Sequence, residues 1–319
     1  MEAKPVEISV RGRAIKVPSV HMGGKTIVVS GRWLRMAAVR DEDWLAGDVV
    51  DDPEACVQKL KQHKLNADIF TFAQKLPNTN PRYGYPMEWD NVAAIPTTDY
   101  SNWWERLPQV VRKNVRRAGK RGLVVREVQF NDQLLQDIIQ INNETPIRQG
   151  RPFWHYGKSF DVVKKDYATL LGRSEFIGAY YENRLVGFVK MVYMGEIAGI
   201  LQILCMNKHY DKRPANALIA RAVEICSTKG LKYLMYGKYI YGKNSESPLT
   251  EFKRRNGFEQ VFLPRYYIPL TGKGKMAIQL GLHLGMKQLL PKAILNFAIK
   301  LRSKWYEKTP LGQDKEQME

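Results

Sequence analysis

Cysteine is scarce in this 319-residue chain. The three present, Cys56, Cys205 and Cys226, are scattered and form no CxxC pair. That excludes a disulfide framework and leaves no basis for a zinc site. Cys205 and Cys226 sit in apolar patterns and read as reduced core residues of a cytosolic protein. No run of eighteen apolar residues occurs, so no bilayer-spanning segment is expected. The opening stretch MEAKPVEISVRGR has no apolar h-region, so no secretory signal is expected either. Acidic residues are also few: 32 stand against 50 basic ones, a formal charge of +18. Such an excess calls for an anionic partner, whether nucleic acid, nucleotide or coenzyme phosphate, or an acidic membrane surface. Two segments concentrate it: residues 101–130 carry eight basic and two acidic side chains, and residues 271–308 carry eight and one.

What is present reads as globular α/β, with 44% hydrophobic and 11% aromatic residues. EISVRGRAIKV and KTIVVSGRWLRMAAV alternate as strands around the turn MGGK. Asp52-Pro53 opens a helix over PEACVQKLKQHK, and ADIFTFAQKL is a strand. PNTNPRYGYPMEWDN is loop. SNWWERLPQVVRKNVRRAGKRG reads as one helix with Leu107, Val110, Val111, Asn114, Val115 and Ala118 on its apolar face. From Leu123 to Leu270 the order is β-α-α-β-β-β-α-β-α-β. The β-α-β element before residue 75 is a worn half-copy of the same unit.

That order, and three stretches on it, resembles the GNAT acyltransferases, and more closely their Fem-type branch of peptidoglycan-bridge aminoacyltransferases. The stretches are RKNVRRAGKRGLVVREV (Arg112–Val128), FIGAYYENRLVGFVKMVY (Phe176–Tyr193) and LTEFKRRNGFEQVFLPRYYIPL (Leu249–Leu270). The resemblance implies a mixed, mostly antiparallel sheet flanked by helices. It divides the chain into a degenerate GNAT-like unit at 1–100, a complete one at 101–270, and a basic amphipathic helical tail at 271–319. It implies transfer of an acyl or aminoacyl group onto an amine or hydroxyl of a cell-envelope or sugar-nucleotide precursor. No tightly bound cofactor is expected. One departure bears on the donor. GNAT enzymes cradle coenzyme A pyrophosphate on a glycine-rich loop, but here Asp211-Lys212-Arg213-Pro214-Ala215-Asn216 has no glycine. That lowers the acetyl-CoA reading relative to aminoacyl-tRNA. It also leaves open a non-catalytic protein that binds RNA or membrane.

Candidate residues follow, each with a bland alternative. Lys253 matches a lysine in the Fem-type active site, where it would steady an oxyanion or phosphate; otherwise it belongs to a solvated KRR run on a helix. Tyr239 and Tyr241 would protonate a leaving group, or are half-buried strand residues. Lys212, Arg213, Asn216 and Phe252 would line the donor side. The loop NETPIRQGRPFWHYGK offers Glu144 and His155 as bases, and Arg148, Gln149, Arg151, Tyr156 and Lys158 to hold a polar acceptor; alternatively its polar groups stitch the loop together. Arg112, Lys113, Arg116, Arg117 and Lys120 would meet tRNA or nucleotide phosphate, or form a solvated face. In the tail, Lys292, Asn296, Lys300 and Lys304 make a basic stripe ending at Trp305. That pattern suits an anionic membrane surface met through residues 276–305, or else a docked helical pair or dimer contact.

Overall fold

The computed structural model describes residues 5–10, 13–40, 42, 49–148, 150–241 and 246–285. A hairpin of β1 (Val6–Val10) and β2 (Arg13–Val17) stands apart from the main sheet. The next elements are β3 (Ser19–Met22), β4 (Lys25–Ser30), β5 (Met36–Val39), α1 (Pro53–Gln62), β6 (Ile69–Ala73) and β7 (Met87–Pro96). The Asp52 side chain accepts from the Ala55 amide at 2.8 Å and Pro53 is the first helical residue, so α1 starts where its capping signal stands. Then come α2 (Tyr100–Arg106), α3 (Gln109–Lys120), β8 (Val124–Val128) and α4 (Asp132–Asn142). A short hairpin follows, β9 (Ile147–Arg148) with β10 (Arg151–Pro152), and then α5 (Phe160–Tyr167). The chain continues through β11 (Ser174–Tyr181), β12 (Arg184–Met194), β13 (Ile197–Cys205), α6 (Pro214–Thr228) and β14 (Tyr233–Met235). It ends in α7 (Pro248–Arg255), β15 (Glu259–Pro269) and α8 (Gly272–Gln279).

Among the described residues the main sheet has eleven strands, in the order β3-β4-β5-β6-β15-β7-β14-β13-β12-β11-β8. The order is a repeat. Three antiparallel strands, a helix and a parallel strand occur as β3-β4-β5-α1-β6 and again as β11-β12-β13-α6-β14. Each half then lends its next strand to the other: β15 lies against β6, and β7 lies against β14. The two lent strands pair with each other, from Glu259 opposite Ala94 to Tyr266 opposite Met87. This is a tandem, mostly antiparallel sheet flanked by helices, as the resemblance implies.

Buried residues of β11–β13 divide between two faces. Ile177, Val189 and Ile200 join the α6 side with Trp103, Val111 and Leu218; Phe176 and Phe188 join α4 and α5 through Leu135, Ile138 and Tyr167. Several expectations need correction. The segment 101–122 is two helices, because Pro108 disfavours helical backbone at Leu107, which sits at φ −66°, ψ 143°. Val110 is then exposed rather than packed. Met87–Asn91 is not loop but the first half of β7, masked in sequence by its Glu, Asp and Asn. Strand pairing after Leu231 stops at Met235. The tail helix breaks at Gly281, whose φ is +68°; its part beyond Gly285, including the stripe Lys292–Trp305, lies outside the described residues.

The β7–β15 seam holds a buried cation between two carboxylates. Arg265 donates to Asp90 Oδ2 at 2.5 Å and to Glu42 Oε2 at 2.8 Å. Burial opposes the charge of Asp90, but Arg265 and Lys238 outweigh it and hold its carboxyl below the ordinary range. Arg265→Leu would leave Asp90 to Lys238 and Glu42 to the Ala73 amide, and is expected to cost about 3 kcal/mol. Urea denaturation checks this; a midpoint equal to wild type would mean the seam does not depend on the network.

Candidate active site

The site begins where two parallel strands part. β13 and β14 pair only through Ile197–Gly199 opposite Tyr233–Met235; β13 then runs on to Cys205 while its neighbour turns away. The departing segment follows β7 instead. Tyr236 and Gly237 exchange backbone bonds with Ala93, and Ile240 N donates to Asn91 Oδ1 at 2.6 Å. Gly237 has φ +54°, and a Cβ there would lie 2.6 Å from the Tyr241 hydroxyl. The left-handed backbone favours glycine here, whereas the tyrosine hydroxyl could move aside. The first turn of α6 meets the end of α7 across the opening: Asn216 Nδ2 donates to Asn256 Oδ1 at 2.9 Å, and the Asn256 carbonyl accepts from Trp103 Nε1.

Lys253 lies in this opening and is fully buried. Its Nζ donates to the Lys238 carbonyl at 2.6 Å and stands 4.4 Å from the Tyr236 ring centre and 4.9 Å from that of Tyr241. Among the described residues no carboxylate pairs with it. Burial pushes its pKa down to about 8, so the ammonium persists at neutral pH in an aromatic cage. The solvated-run alternative fails for Lys253 and holds for its neighbours: Arg254 and Arg255 are exposed and pair with Glu251. The two tyrosines separate. Tyr241 is half-exposed beside the Lys253 ammonium, and burial raises its phenol above the ordinary value, so it stays protonated. Tyr239 instead lines a cavity of about 430 Å³ with Trp103, Arg254 and Phe258. Phe252 packs on the α6-side core, and its carbonyl accepts from Asn256 Nδ2.

The other expected residues are placed differently. Arg213 adopts φ +60° and caps α6 with an exposed side chain; Lys212 lies 4.1 Å from the Tyr181 ring centre and 3.4 Å from Asp211. In the loop, Glu144 accepts from the amides of Asn207 and Lys208 at 2.7 and 3.0 Å. Arg148 pairs with Glu144 at 3.1 Å and donates to the carbonyls of Ile141 and Cys205. These bonds fasten the loop to the end of β13, which is the alternative weighed against Glu144 as a base and Arg148 as an acceptor-holding group. His155 is buried on the α4–α5 face beside Gln202, and desolvation, helped by Lys158, lowers its pKa to about 4. That makes it a weak base at neutral pH. Lys158 is held by Asp166 at 2.7 Å and lies over Trp154. Arg151 and Tyr156 remain exposed; Gln149 lies outside the described residues. On α3, Lys113, Arg116, Arg117 and Lys120 are exposed and Arg112 is half-buried, none paired with a carboxylate among the described residues. Reasoning from sequence missed Tyr236, the Lys238 carbonyl and Asn256. Asn256 before Gly257 is legible as a helix end, but its bond to Asn216 has no local signal.

A buried cation without a carboxylate partner costs stability, and function is a reason for a chain to retain one. Lys253→Met keeps the side-chain length and removes the charge. Its thermal midpoint is expected to equal or exceed that of wild type, while any transfer activity is lost. A clear drop in the midpoint would make Lys253 structural.

No family model and no curated protein matches this sequence. Solved structures do match. L-PGS from Bacillus licheniformis aligns at 14% identity over 82% of this chain and 85% of its own, with a TM-score of 0.51. A conserved protein of unknown function from Bacteroides thetaiotaomicron VPI-5482 aligns at 11% identity over 80% and 86%, also at 0.51. FemX aligns at 11% over 87% and 90%, at 0.49. At such identities the likeness is one of architecture. Among the described residues no helix is long and apolar enough to cross a membrane. The chain shares its architecture with L-PGS from Bacillus licheniformis and the Bacteroides thetaiotaomicron protein.

Proposed function

We propose that the protein is an acyltransferase that moves an aminoacyl or acyl group onto an amine or hydroxyl of a cell-envelope or sugar-nucleotide precursor. The observation that carries this reading is Lys253, a buried cation with no carboxylate partner among the described residues, held against the segment that leaves β13 after Met235. The names of two similar folds, L-PGS and FemX, are in keeping with it but do not carry it. In the reaction the acceptor attacks the donor's ester or thioester carbonyl directly. Negative charge collects on the carbonyl oxygen, and Lys253 has N–H groups beyond the one given to Lys238 with which to receive it. The C–O or C–S bond then breaks, the Tyr241 phenol hands its proton to the leaving group, and the phenolate so formed takes up the proton that the acceptor N–H or O–H loses.

Aminoacyl-tRNA is the first choice of donor. α6 opens with Arg213, Pro214 and Asn216; proline lacks a donor N–H, and the Asn216 side-chain amide gives one of its N–H groups to Asn256. Such a turn offers a pyrophosphate fewer donors and a less close approach than a glycine-rich one. The exposed cations of α3 supply a surface for an RNA backbone. A thermal-shift screen with acetyl-CoA, longer acyl-CoAs and aminoacyl-tRNA tests the choice. Stabilisation by tRNA supports it, stabilisation by a coenzyme replaces tRNA with that donor, and indifference to all three favours a binding protein without this chemistry.

The electrostatic role also fixes a pH dependence. The Lys253 pKa is depressed, so the cation is complete below about pH 8 and is lost as pH rises through that value. kcat/KM is expected to fall above about pH 8, in step with that loss. Lys253→Ala should lower kcat by roughly 10²–10³-fold, the range for removing one oxyanion donor. Undiminished turnover in this variant rules out the role.

A further inference from the structure

A cavity of about 730 Å³ opens in the N-terminal half, far along the sheet from Lys253, between the turn preceding β5, the C-terminal end of α1 and the start of α8. Five cations line it: Arg32, Arg35, Lys61, Lys64 and Lys273. The one carboxylate there, Asp68, is already committed. It accepts from the Arg35 amide at 2.9 Å and the Thr271 hydroxyl at 3.0 Å, and lies 3.4 Å from Lys273. Among the described residues no carboxylate pairs with Arg32, Arg35, Lys61 or Lys64. Four uncompensated cations around one concavity repel one another and focus a positive potential into it. The positive end of α8 adds to this field.

Exposed apolar side chains continue outward from one side of this opening, through Trp33 and along α8. Trp33 is 62% exposed, and Lys273 Nζ lies 5.2 Å from its ring centre and donates to its carbonyl. Met276 and Leu280 are 57% and 61% exposed. With Lys273 they fall at i, i+3 and i+7, on one side of α8. The opposite side is clamped to the sheet: a Cβ on Gly274 would meet the Asp68 carbonyl at 1.9 Å, and Ala277 packs against Ile69 and Tyr267. The apolar groups are therefore presented outward from a fixed platform. An aromatic ring, two aliphatic chains and a cationic cavity on one face match the layers of a lipid surface, apolar below the headgroups and anionic at them.

We propose that this face docks on a bilayer containing anionic phospholipid, with a headgroup phosphate in the cavity and Trp33, Met276 and Leu280 in the interfacial layer. RNA is the other polyanion to consider, but aliphatic Met276 and Leu280 have nothing to gain from a phosphate backbone. The sequence places membrane contact in the tail; the cavity and Trp33 add a site in the N-terminal half. The inference is independent of the part assigned to Lys253.

Co-sedimentation of the full chain with vesicles tests it. Vesicles of phosphatidylcholine with added phosphatidylglycerol should bind the protein, vesicles of phosphatidylcholine alone should not, and added salt should weaken binding. The double variant Lys61→Gln, Lys64→Gln should lose about tenfold or more in vesicle affinity. Both lysines are exposed and unpaired, so its thermal midpoint should match wild type. Trp33→Ser should also weaken vesicle binding. The proposal is overturned if both variants bind vesicles like wild type, if neutral and anionic vesicles bind alike, or if the lysine variant loses affinity for tRNA while keeping it for vesicles.

Discussion

The pairing of β7 with β15 holds the molecule together. It is the only place where the two halves of the sheet meet among the described residues, and it carries Arg265 between Glu42 and Asp90. Asp90 also receives the Lys238 ammonium at 3.0 Å, and the carbonyl of that same lysine holds Lys253. One chain of contacts thus runs from Glu42, before α1, to the cation at the strand opening. The buried arginine is tolerable because both of its neighbours are anionic. Lys253, a few residues upstream in the same terminal region, has no such neighbour, and this contrast separates a structural ion from one held ready for a substrate.

The parting of β13 and β14 gives that cation its place. A parallel pair broken after three residues leaves backbone groups on both strands needing partners. On one side Asn91 and Ala93 of β7 take them up; on the other, Glu144 and Arg148 bind the end of β13 and the amides just beyond it. The polar loop 143–158 therefore acts as a fastening for the cleft's edge. Its charge-bearing residues look reactive in sequence because fastening an exposed strand end also calls for carboxylate and guanidinium.

Much of the fold was legible because the signals are local. The Asp52-Pro53 cap, the MGGK turn and the strand alternation on either side of it each act over a few residues. The element order followed from such signals and made the architecture readable. β7 was hidden because its first half carries polar residues whose partners lie on β15, far away in the chain. The burial of Lys253 was hidden for a similar reason. Its helix turn reads EFKRR, as polar as any surface run, and only the packing of Tyr236 and Tyr241 over it removes one of three cations from water. Glu144 and Arg148 were legible as a pair but not in their allegiance, which depends on amides some sixty residues downstream.

The exchange of strands between halves governs how the chain can mature. One edge of β6 pairs with β5, but the other finds its partner only in β15, with Ile69 opposite Pro269, so that edge stays open when the first half leaves the ribosome. Until nearly the whole described chain has been synthesised, β6 presents an unpaired apolar edge, Ile69-Phe70-Thr71-Phe72, of the kind that recruits foreign strands. Pairings of such long sequence separation also form slowly. The order of synthesis and the order of strands in the sheet therefore disagree, and the C-terminal strand β15 is needed to cover the open edge of the N-terminal half.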